Sequence, residues 1–454
     1  MGMQNASPNS ISRWFHLVAE IRRRIFAKDF WDRHRRRKED FTRERLLTFP
    51  VVILLLVQKT TQSVQRHLNR FLAQLWPQGL ETATAGAWSQ ARAKVRHTAL
   101  IELNQEILLP GFYGPEHQAH RRSWKGHRLL GGDGSQLRLP LHPEIVEKFG
   151  RVEAANHLGR TGSWYAPARL SVLYDLLNHV GLDARVEPVE QGEVEVLMKQ
   201  LEHVQPDDVV IWDRGFTGFV LMAMVLERGG HFVGRCSTGS FAAAQDLFRA
   251  NRAGRSKLVK LVAGKQHWAR LKELGLPTEL TARFVSLRLP TGELEVLVTS
   301  LLDDELYPTQ EFLDVYSWRW NHETYHLMLK GRLELENWTG QTEEAVRQDV
   351  QAAVLVSNLE SLLSQEPQEQ LTAGDSERKY PAQVNRAVSY HALKERLLDL
   401  LWSKRPLGKA LQQIQQWMQT DPVSVRRDRK RPPRKRQSFP RSYHFQRHLK
   451  KTVF

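Results

Sequence analysis

The spacing of apolar residues predicts that the first quarter of the chain is helical. Through residues 1–125, apolar positions recur at helical intervals, and few Gly or Pro residues interrupt them. Helices are predicted at residues 42–56, 60–76 and 84–108. The pattern therefore indicates a helical N-terminal region of about 125 residues.

Strand patterns dominate the next segment, residues 126–236. Short apolar runs bounded by turn residues predict five strands and two helices. The strands are predicted at residues 128–139, 168–176, 181–188, 208–213 and 231–236, and the helices at 193–203 and 217–227. This alternation predicts the first part of an α/β core.

The remaining chain is predicted to add an insertion, complete the core and end in helices. Residues 237–306 contain a hairpin pattern and form a predicted β-rich insertion, in which Trp268 is expected to pack in a core. Residues 307–365 supply the second part of the core. Residues 366–425 form a helical C-terminal region. A linker is predicted at its start, near residues 364–377. Residues 426–454 are a basic tail broken by prolines.

Four polar residues share one face of a predicted helix in the second part of the core: Tyr316, Arg319, Glu323 and Lys330. At about 100° per residue, their spacing places them within roughly a 60° arc. A phenol, a guanidinium, a carboxylate and an ammonium along one edge suit an extended polyanion near a metal ion. The alternative is a solvated helix face with Arg–Glu and Glu–Lys pairs.

Two aspartates upstream favour a metal site over a solvated helix face. Asp133 lies in a predicted strand before a glycine and a serine, and Asp213 ends the apolar run at residues 208–213. Either aspartate alone is equally a turn or helix-cap residue. Together with Glu323 they place two carboxylates on strands and one on a helix. This is a set of hard oxygen ligands for Mg²⁺ or Mn²⁺.

Three motifs contain these residues. Residues 133–135 read Asp-Gly-Ser, residues 213–216 read Asp-Arg-Gly-Phe, and residues 316–330 follow Tyr-x₂-Arg-x₃-Glu-x₆-Lys. In this order the motifs resemble the signatures of DDE transposases of the insertion-sequence 4 family, over roughly residues 40–360. The chain departs from the family pattern at Phe216, where a Tyr is common.

The resemblance implies a fold, a reaction and a set of site residues. The implied fold is α/β, a ribonuclease H-like catalytic core with a β-rich insertion, flanked by helical N- and C-terminal regions. The implied reaction is metal-dependent cleavage of inverted-repeat ends, excision through a hairpin intermediate and strand transfer, by a homodimer on double-stranded DNA. The implied catalytic and metal-binding residues are Asp133, Asp213 and Glu323, and the implied DNA contacts are Tyr316, Arg319, Trp320 and Lys330. In the family a Trp of the insertion receives a base flipped out of the duplex, and this role is the alternative to a core position for Trp268.

Charge and composition agree with a DNA partner. The chain has 66 Lys and Arg against 50 Asp and Glu, which leaves a formal net charge of +16. Such a surplus suits a partner dense in phosphate. A membrane surface is the competing polyanion, but no apolar run approaches the ~20 residues that span a bilayer.

We find no signal peptide, and the single Cys236 excludes an internal disulfide. We therefore expect a cytoplasmic, nucleoid-associated protein.

Basic residues of the third N-terminal helix are candidates for duplex contacts. Arg92, Lys94 and Arg96 follow Trp88 there, and Arg and Lys side chains commonly bind the DNA backbone. The alternative is a small helical bundle with solvated charges. The family resemblance favours DNA, because this region binds the element ends in the family.

Three other functions remain open. A metal-dependent nuclease without strand transfer would share every catalytic feature. An inactive, DNA-binding relative of a transposase would be expected to have lost one of the three carboxylates, and all three are present. A basic RNA-associated protein would account for the charge but not for the carboxylates. A transposase is the interpretation that accounts for both the charge and the motifs.

Overall fold

The computed structural model describes residues 12–43, 45–58, 63–79, 81–155, 161–375, 378–402 and 404–426. The chain divides into two compact units. The first comprises residues 1–119, 138–166 and 329–454, and the second comprises residues 120–137 and 167–328. Of the predicted basic tail, residues 427–454 lie outside the described residues. The domain boundaries predicted from the sequence stay predictions.

Helices make up the N-terminal part of the first unit. In chain order they are α1 (Phe15–Ile25), α2 (Lys28–His34), α3 (Phe49–Val57), α4 (Val64–Leu75), α5 (Ala85–Arg92), α6 (Thr98–Glu102) and α7 (Leu109–Phe112). Of the segment predicted to be helical at residues 42–56, only the apolar C-terminal part forms a helix, α3. Every residue of α3 is buried. The helix predicted at 84–108 is interrupted because Val95 forms a β-bridge with Arg35.

The strands predicted for the core are present, with two further elements. The segment contains β1 (Leu129–Leu139), α8 (Pro143–Phe149), β2 (Val152–Ala155), β3 (Thr161–Asp175), β4 (Val180–Pro188), α9 (Glu193–Gln200), β5 (Val209–Trp212), α10 (Phe219–Glu227) and β6 (His231–Arg235). The sequence pattern did not predict α8 and β2. The β3–β4 hairpin turns at His179, whose φ is 59°.

Residues 237–331 add three strands and four helices. They are α11 (Ala242–Ala250), β7 (Ser256–Val262), α12 (Trp268–Glu273), β8 (Glu279–Arg288), β9 (Leu294–Thr299), α13 (Phe312–Ser317) and α14 (Trp320–Gly331). The prediction of a core position for Trp268 is wrong. Its side chain is 48% exposed, and its Nε1 donates to the carbonyl oxygen of Ala263 at 3.0 Å.

The C-terminal part of the first unit is helical. It contains α15 (Glu343–Leu363), α16 (Gln365–Ala373), β10 (Ala382–Gln383), α17 (Arg386–Leu401), α18 (Leu407–Met418) and β11 (Val423–Ser424). The linker predicted near 364–377 is wrong, because α16 occupies most of it. Tertiary contacts stabilise this polar helix: Pro367 and Leu371 are buried, and Glu366 accepts from the backbone N–H of Arg13 at 2.7 Å.

One mixed sheet contains all the strands except β10 and β11. Its strands follow the order β4-β3-β1-β5-β6-β9-β8-β7, and the first residues of β3 also pair with β2. The pairs β1–β5 and β5–β6 are parallel, while β3–β4, β6–β9, β9–β8 and β8–β7 are antiparallel. The predicted mixed α/β class is therefore confirmed. Among the helices of the described segments, none has the length and apolar character needed to cross a bilayer.

Candidate active site

The two predicted catalytic aspartates follow the paired stretch of two neighbouring parallel strands. The β1–β5 register ends with Gly131 opposite Ile211, and Asp133 and Asp213 each come two residues after this pair. Each carboxylate accepts the next residue's backbone N–H at 2.8 Å. Because the carboxyl ends of parallel strands meet at one edge of a sheet, this edge is a usual place for a site.

Two consecutive glycines allow helices to approach β1 closely. A methyl group on Gly131 would lie 2.8 Å from Leu176 Cδ2 and 3.0 Å from His322 Nδ1 of α14. A methyl group on Gly132 would lie 2.5 Å from Leu197 Cδ1 of α9. Successive strand residues point to opposite faces. Gly131 therefore sets the approach of α14, and Gly132 that of α9.

The helix predicted to carry four polar residues is two helices. Tyr316 lies in α13, Arg319 lies in the turn that follows, and Glu323 lies in α14. Through this turn the backbone bonds are of the tighter i→i+3 type, as in the N–H of Arg319 to the carbonyl of Tyr316 at 3.1 Å. The expectation of one continuous helical face is therefore wrong at Tyr316. Its hydroxyl instead donates to Asp213 Oδ1 at 3.0 Å.

The guanidinium of Arg319 links the acidic residues electrostatically. Its Nη1 donates to Glu323 Oε1 at 2.8 Å, and its positive charge acts on both aspartates. Burial raises the pKa of Asp133 to about 6, with Arg319 opposing the shift and the Glu323 charge adding to it. At Asp213, burial is outweighed by the Arg214 N–H, by Arg319 and by other donors, so the pKa is lowered.

Two further residues lie at this site, and motif reasoning did not find them. Arg235 ends β6, the third parallel strand, with Nη1 3.6 Å from Asp213 Oδ1, and it also pairs with Glu295. Its place at the end of a predicted parallel strand was the available signal. His322 is fully buried beside Glu323, and neither of its ring nitrogens has a hydrogen-bond partner. No sequence signal distinguishes it from other histidines.

The predicted DNA-contacting residues differ in their exposure. Trp320 is 56% exposed, Lys330 is half-buried and Arg96 is exposed. The half-buried Lys94 has its Nζ 3.9 Å from Asp40 Oδ1. As DNA contacts, these four residues stay predictions.

The prediction for Arg92 is wrong, because Arg92 is buried inside the first unit. Only 3% of its surface is exposed. Its guanidinium lies 3.2 Å from Asp349 Oδ1, and it also donates to Gln348 Oε1 at 2.9 Å and to the Ala345 carbonyl at 3.0 Å. With these buried partners its donors do not reach DNA.

The carboxylates are not grouped around a common point. Within the described part of the chain, no three His, Cys, Asp or Glu side chains are arranged to hold a metal ion. Glu323 Oε1 accepts a hydrogen bond from Arg319, and Asp213 Oδ1 accepts one from Tyr316. The site therefore has the ligand chemistry of a divalent-cation site, with a guanidinium as the cation among the carboxylates.

Residues 126–359 match the family described as the transposase DDE domain. The match covers just over half of the 454 residues, so the chain belongs to this family, and the predicted resemblance to DDE transposases is confirmed. It is also similar to two proteins of Escherichia coli strain K12. Identity is 26% over 238 residues with transposase InsG for insertion sequence element IS4, covering 52% of each chain. It is 27% over 188 residues with putative transposase InsZ, covering 41% of this chain and 60% of InsZ.

The chain thus spans about half of the InsG sequence and 60% of the InsZ sequence. Among solved structures, the chain is similar to the piggyBac transposase synaptic complex with hairpin DNA, determined by cryo-electron microscopy. The TM-score is 0.43 and the sequence identity is 10%, over 88% of this chain and 80% of that chain.

Proposed function

We propose that the protein is a transposase that binds the inverted-repeat ends of a mobile element, cleaves them in a metal-dependent reaction and transfers the cleaved strands into target DNA. One observation carries the proposal. Asp133 and Asp213 each follow, by two residues, the last paired residues of the parallel strands β1 and β5, and Glu323 is paired with Arg319, whose charge favours the ionised form of both aspartates. Membership of the transposase DDE domain family indicates the reaction that these carboxylates serve.

The donor set fits Mg²⁺ or Mn²⁺. Both ions prefer oxygen ligands, and the three proposed ligands, Asp133, Asp213 and Glu323, are all carboxylates. The raised pKa of Asp133 supports the fit, because a divalent cation compensates negative charge held in a buried place. When bound, the ion would activate the attacking oxygen and stabilise the leaving oxygen of the phosphodiester.

The surrounding side chains position the carboxylates and the DNA. The Tyr316 hydroxyl fixes the orientation of the Asp213 carboxylate. Arg319 and Lys330 provide positive charge for phosphates, and the planar fork of Arg319 suits a bidentate contact. The exposed Trp320 ring offers a surface on which a base can stack.

Double-stranded DNA is the proposed partner, bound by a homodimer in the nucleoid. The net charge of +16 favours association with phosphate, and Lys94 and Arg96 are the N-terminal candidates for backbone contacts. The strand order β4-β3-β1-β5-β6 supports a ribonuclease H-like core, since it sets three parallel strands beside a hairpin. The β-rich insertion is proposed to comprise residues 237–306.

A cleavage assay on DNA taken from the flanks of the gene tests the carboxylates. We expect Asp133→Asn, Asp213→Asn and Glu323→Gln each to abolish cleavage in Mg²⁺ while DNA binding persists, because each removes metal-binding charge at little cost in volume. Glu227→Gln is the matched control, since Glu227 is exposed at the end of α10, and it should cleave like the parent. Cleavage in excess chelator, or by any of the three variants at near-parental rate, would contradict the assignment.

A joining assay separates a transposase from a nuclease. Pre-cleaved ends with a free 3′-hydroxyl are mixed with a supercoiled target plasmid, the parent protein and Mg²⁺. Covalently joined products are expected from a transposase. Cleavage of the first substrate without any joined product would identify a nuclease, and binding without cleavage would identify an inactive relative.

A further inference from the structure

Arg319 is enclosed among the acidic groups of the site. Its Nη1 donates to Glu323 Oε1 at 2.8 Å, and its charge acts on Asp133 and Asp213 as well. Only 5% of its surface is exposed. A buried charge is costly unless it is paired, so the guanidinium and the carboxylates depend on each other.

Aromatic rings hold this side chain, yet its hydrogen bonding is incomplete. Its Cζ lies 5.4 Å from the centre of the Tyr316 ring and 5.0 Å from that of the Trp320 ring, within range of a cation–π interaction. The buried Nε of Arg319 has no hydrogen-bond partner. A buried donor that makes no bond costs free energy. A phosphate oxygen within reach of this Nε would supply the missing acceptor.

The guanidinium and a divalent cation compete for the same carboxylates. Glu323 Oε1 accepts a hydrogen bond from Arg319. A divalent ion bound by the three acids would therefore lie close to the Arg319 guanidinium and repel its positive charge. The described residues include no arrangement of three acidic or His side chains ready to hold an ion. In this arrangement Glu323 Oε1 faces the guanidinium of Arg319.

We propose that Arg319 is an internal counter-ion of the triad, which a divalent cation displaces from Glu323 and which is thereby freed to bind a DNA phosphate. The inference rests on the proposed function of the same site. It predicts that metal and DNA promote each other's binding, because coupling between two ligands is reciprocal. In the absence of both, the ion pair holds the site closed to metal.

Mn²⁺ binding to the DNA-free, full-length protein, measured by electron paramagnetic resonance, tests the competition. We expect Arg319→Ala to bind Mn²⁺ about tenfold more tightly than the parent, because a like charge is removed from the ligands. Arg319→Lys keeps the charge but loses the fork, and should lie between the two. Arg249→Ala is the control for net charge, since Arg249 is 73% exposed in a surface pair.

DNA binding provides a second readout that a purely structural role would not change. In the parent, Ca²⁺ should raise the affinity for a duplex about tenfold, because it releases Arg319 without supporting cleavage. In Arg319→Ala this enhancement should disappear, although the variant binds the cation more tightly. Circular dichroism checks that each variant is folded, and Arg319→Lys carries the test if Arg319→Ala is not.

The outcomes separate this inference from the proposed function. Unchanged or weaker Mn²⁺ binding by Arg319→Ala, with parental binding lost in Glu323→Gln, would overturn the counter-ion role and leave the metal site standing. Parental Mn²⁺ binding that does not respond to Glu323→Gln would overturn the metal site itself. Tighter Mn²⁺ binding together with loss of the Ca²⁺ enhancement would support the counter-ion role.

Discussion

The substitution Gly131→Ala should separate the geometry of the site from the stability of the fold. A methyl group there would lie 2.8 Å from Leu176 Cδ2 and 3.0 Å from His322 Nδ1. Because such atoms normally approach to about 3.5 Å, Leu176 Cδ2 must withdraw by about 0.7 Å and His322 Nδ1 by about 0.5 Å. The Leu176 side chain can rotate. The His322 ring is fully buried and stacked on Tyr174 and His326, at centroid distances of 5.5 and 4.8 Å, so α14 itself must shift.

A shift of α14 moves Glu323 relative to Asp133. Catalytic groups must stay within about 0.5 Å of their productive positions, and a misplacement of about 1 Å costs up to ~100-fold in rate. We therefore expect Gly131→Ala to lower the single-turnover cleavage rate about tenfold. Overpacking should also lower the free energy of unfolding by about 1–3 kcal/mol, measured by urea denaturation.

Gly132→Ala is the matched control on the opposite face of β1. Its methyl group would lie 2.5 Å from Leu197 Cδ1, so its cost in unfolding free energy should be similar. The Gly132→Ala substitution displaces α9, however, and α9 carries none of the three carboxylates. The folded variant should therefore cleave near the parental rate. Adding His322→Ala to Gly131→Ala removes the obstructing ring and should restore part of the rate. A folded Gly131→Ala protein with parental cleavage would refute this account.

Three other predictions concern residues outside the carboxylate cluster. Arg92→Ala should lower the unfolding free energy by about 3–5 kcal/mol, because it removes a cationic partner of the buried Asp349, while the salt dependence of DNA binding stays parental. Burial opposes ionisation of Glu102, but hydrogen bonds from Arg33, His34 and Arg24 outweigh it and lower its pKa to about 2. The ionised Glu102 should therefore contribute its full stabilisation above pH 4.5, the ordinary pKa of Glu, and lose it as the pH falls towards 2. The difference in unfolding free energy between the parent and Glu102→Gln should shrink across that pH range. Burial raises the pKa of Cys236 to about 12, so alkylation at neutral pH should be slow in the folded protein and fast in urea.

Local patterns were sufficient to predict the strands that carry the aspartates. The apolar run between Asp208 and Asp213 is short and bounded by polar residues, as is typical of a buried strand, and β5 within it is fully buried. The local pattern likewise places Asp133 within a strand and Asp213 at the end of one. Both predictions depend on residues adjacent in sequence, where backbone geometry is set locally.

Long-range contacts account for the predictions that failed. Arg92 looks like a surface cation in its helix, but Asp349 lies 257 residues away in sequence, and no local pattern signals that pairing. The linker prediction near 364–377 failed in the same way, since Glu366 pairs with Arg13 from the other end of the chain. Polar composition predicts exposure only when no partner is supplied from elsewhere.

The turn between α13 and α14 also changes how the two cations of the third motif are understood. A continuous helix assigns Arg319 and Lys330 the same role, as phosphate contacts that leave the metal ligands alone. In the structure Arg319 is bound to Glu323, whereas Lys330 lies about 10 Å further along α14. Burial lowers the pKa of Lys330, with Glu336 opposing the shift and Arg138 adding to it. Lys330 thus interacts electrostatically with a different set of groups, so of these two cations Arg319 is the one whose pairing with a proposed metal ligand can connect metal binding with DNA binding.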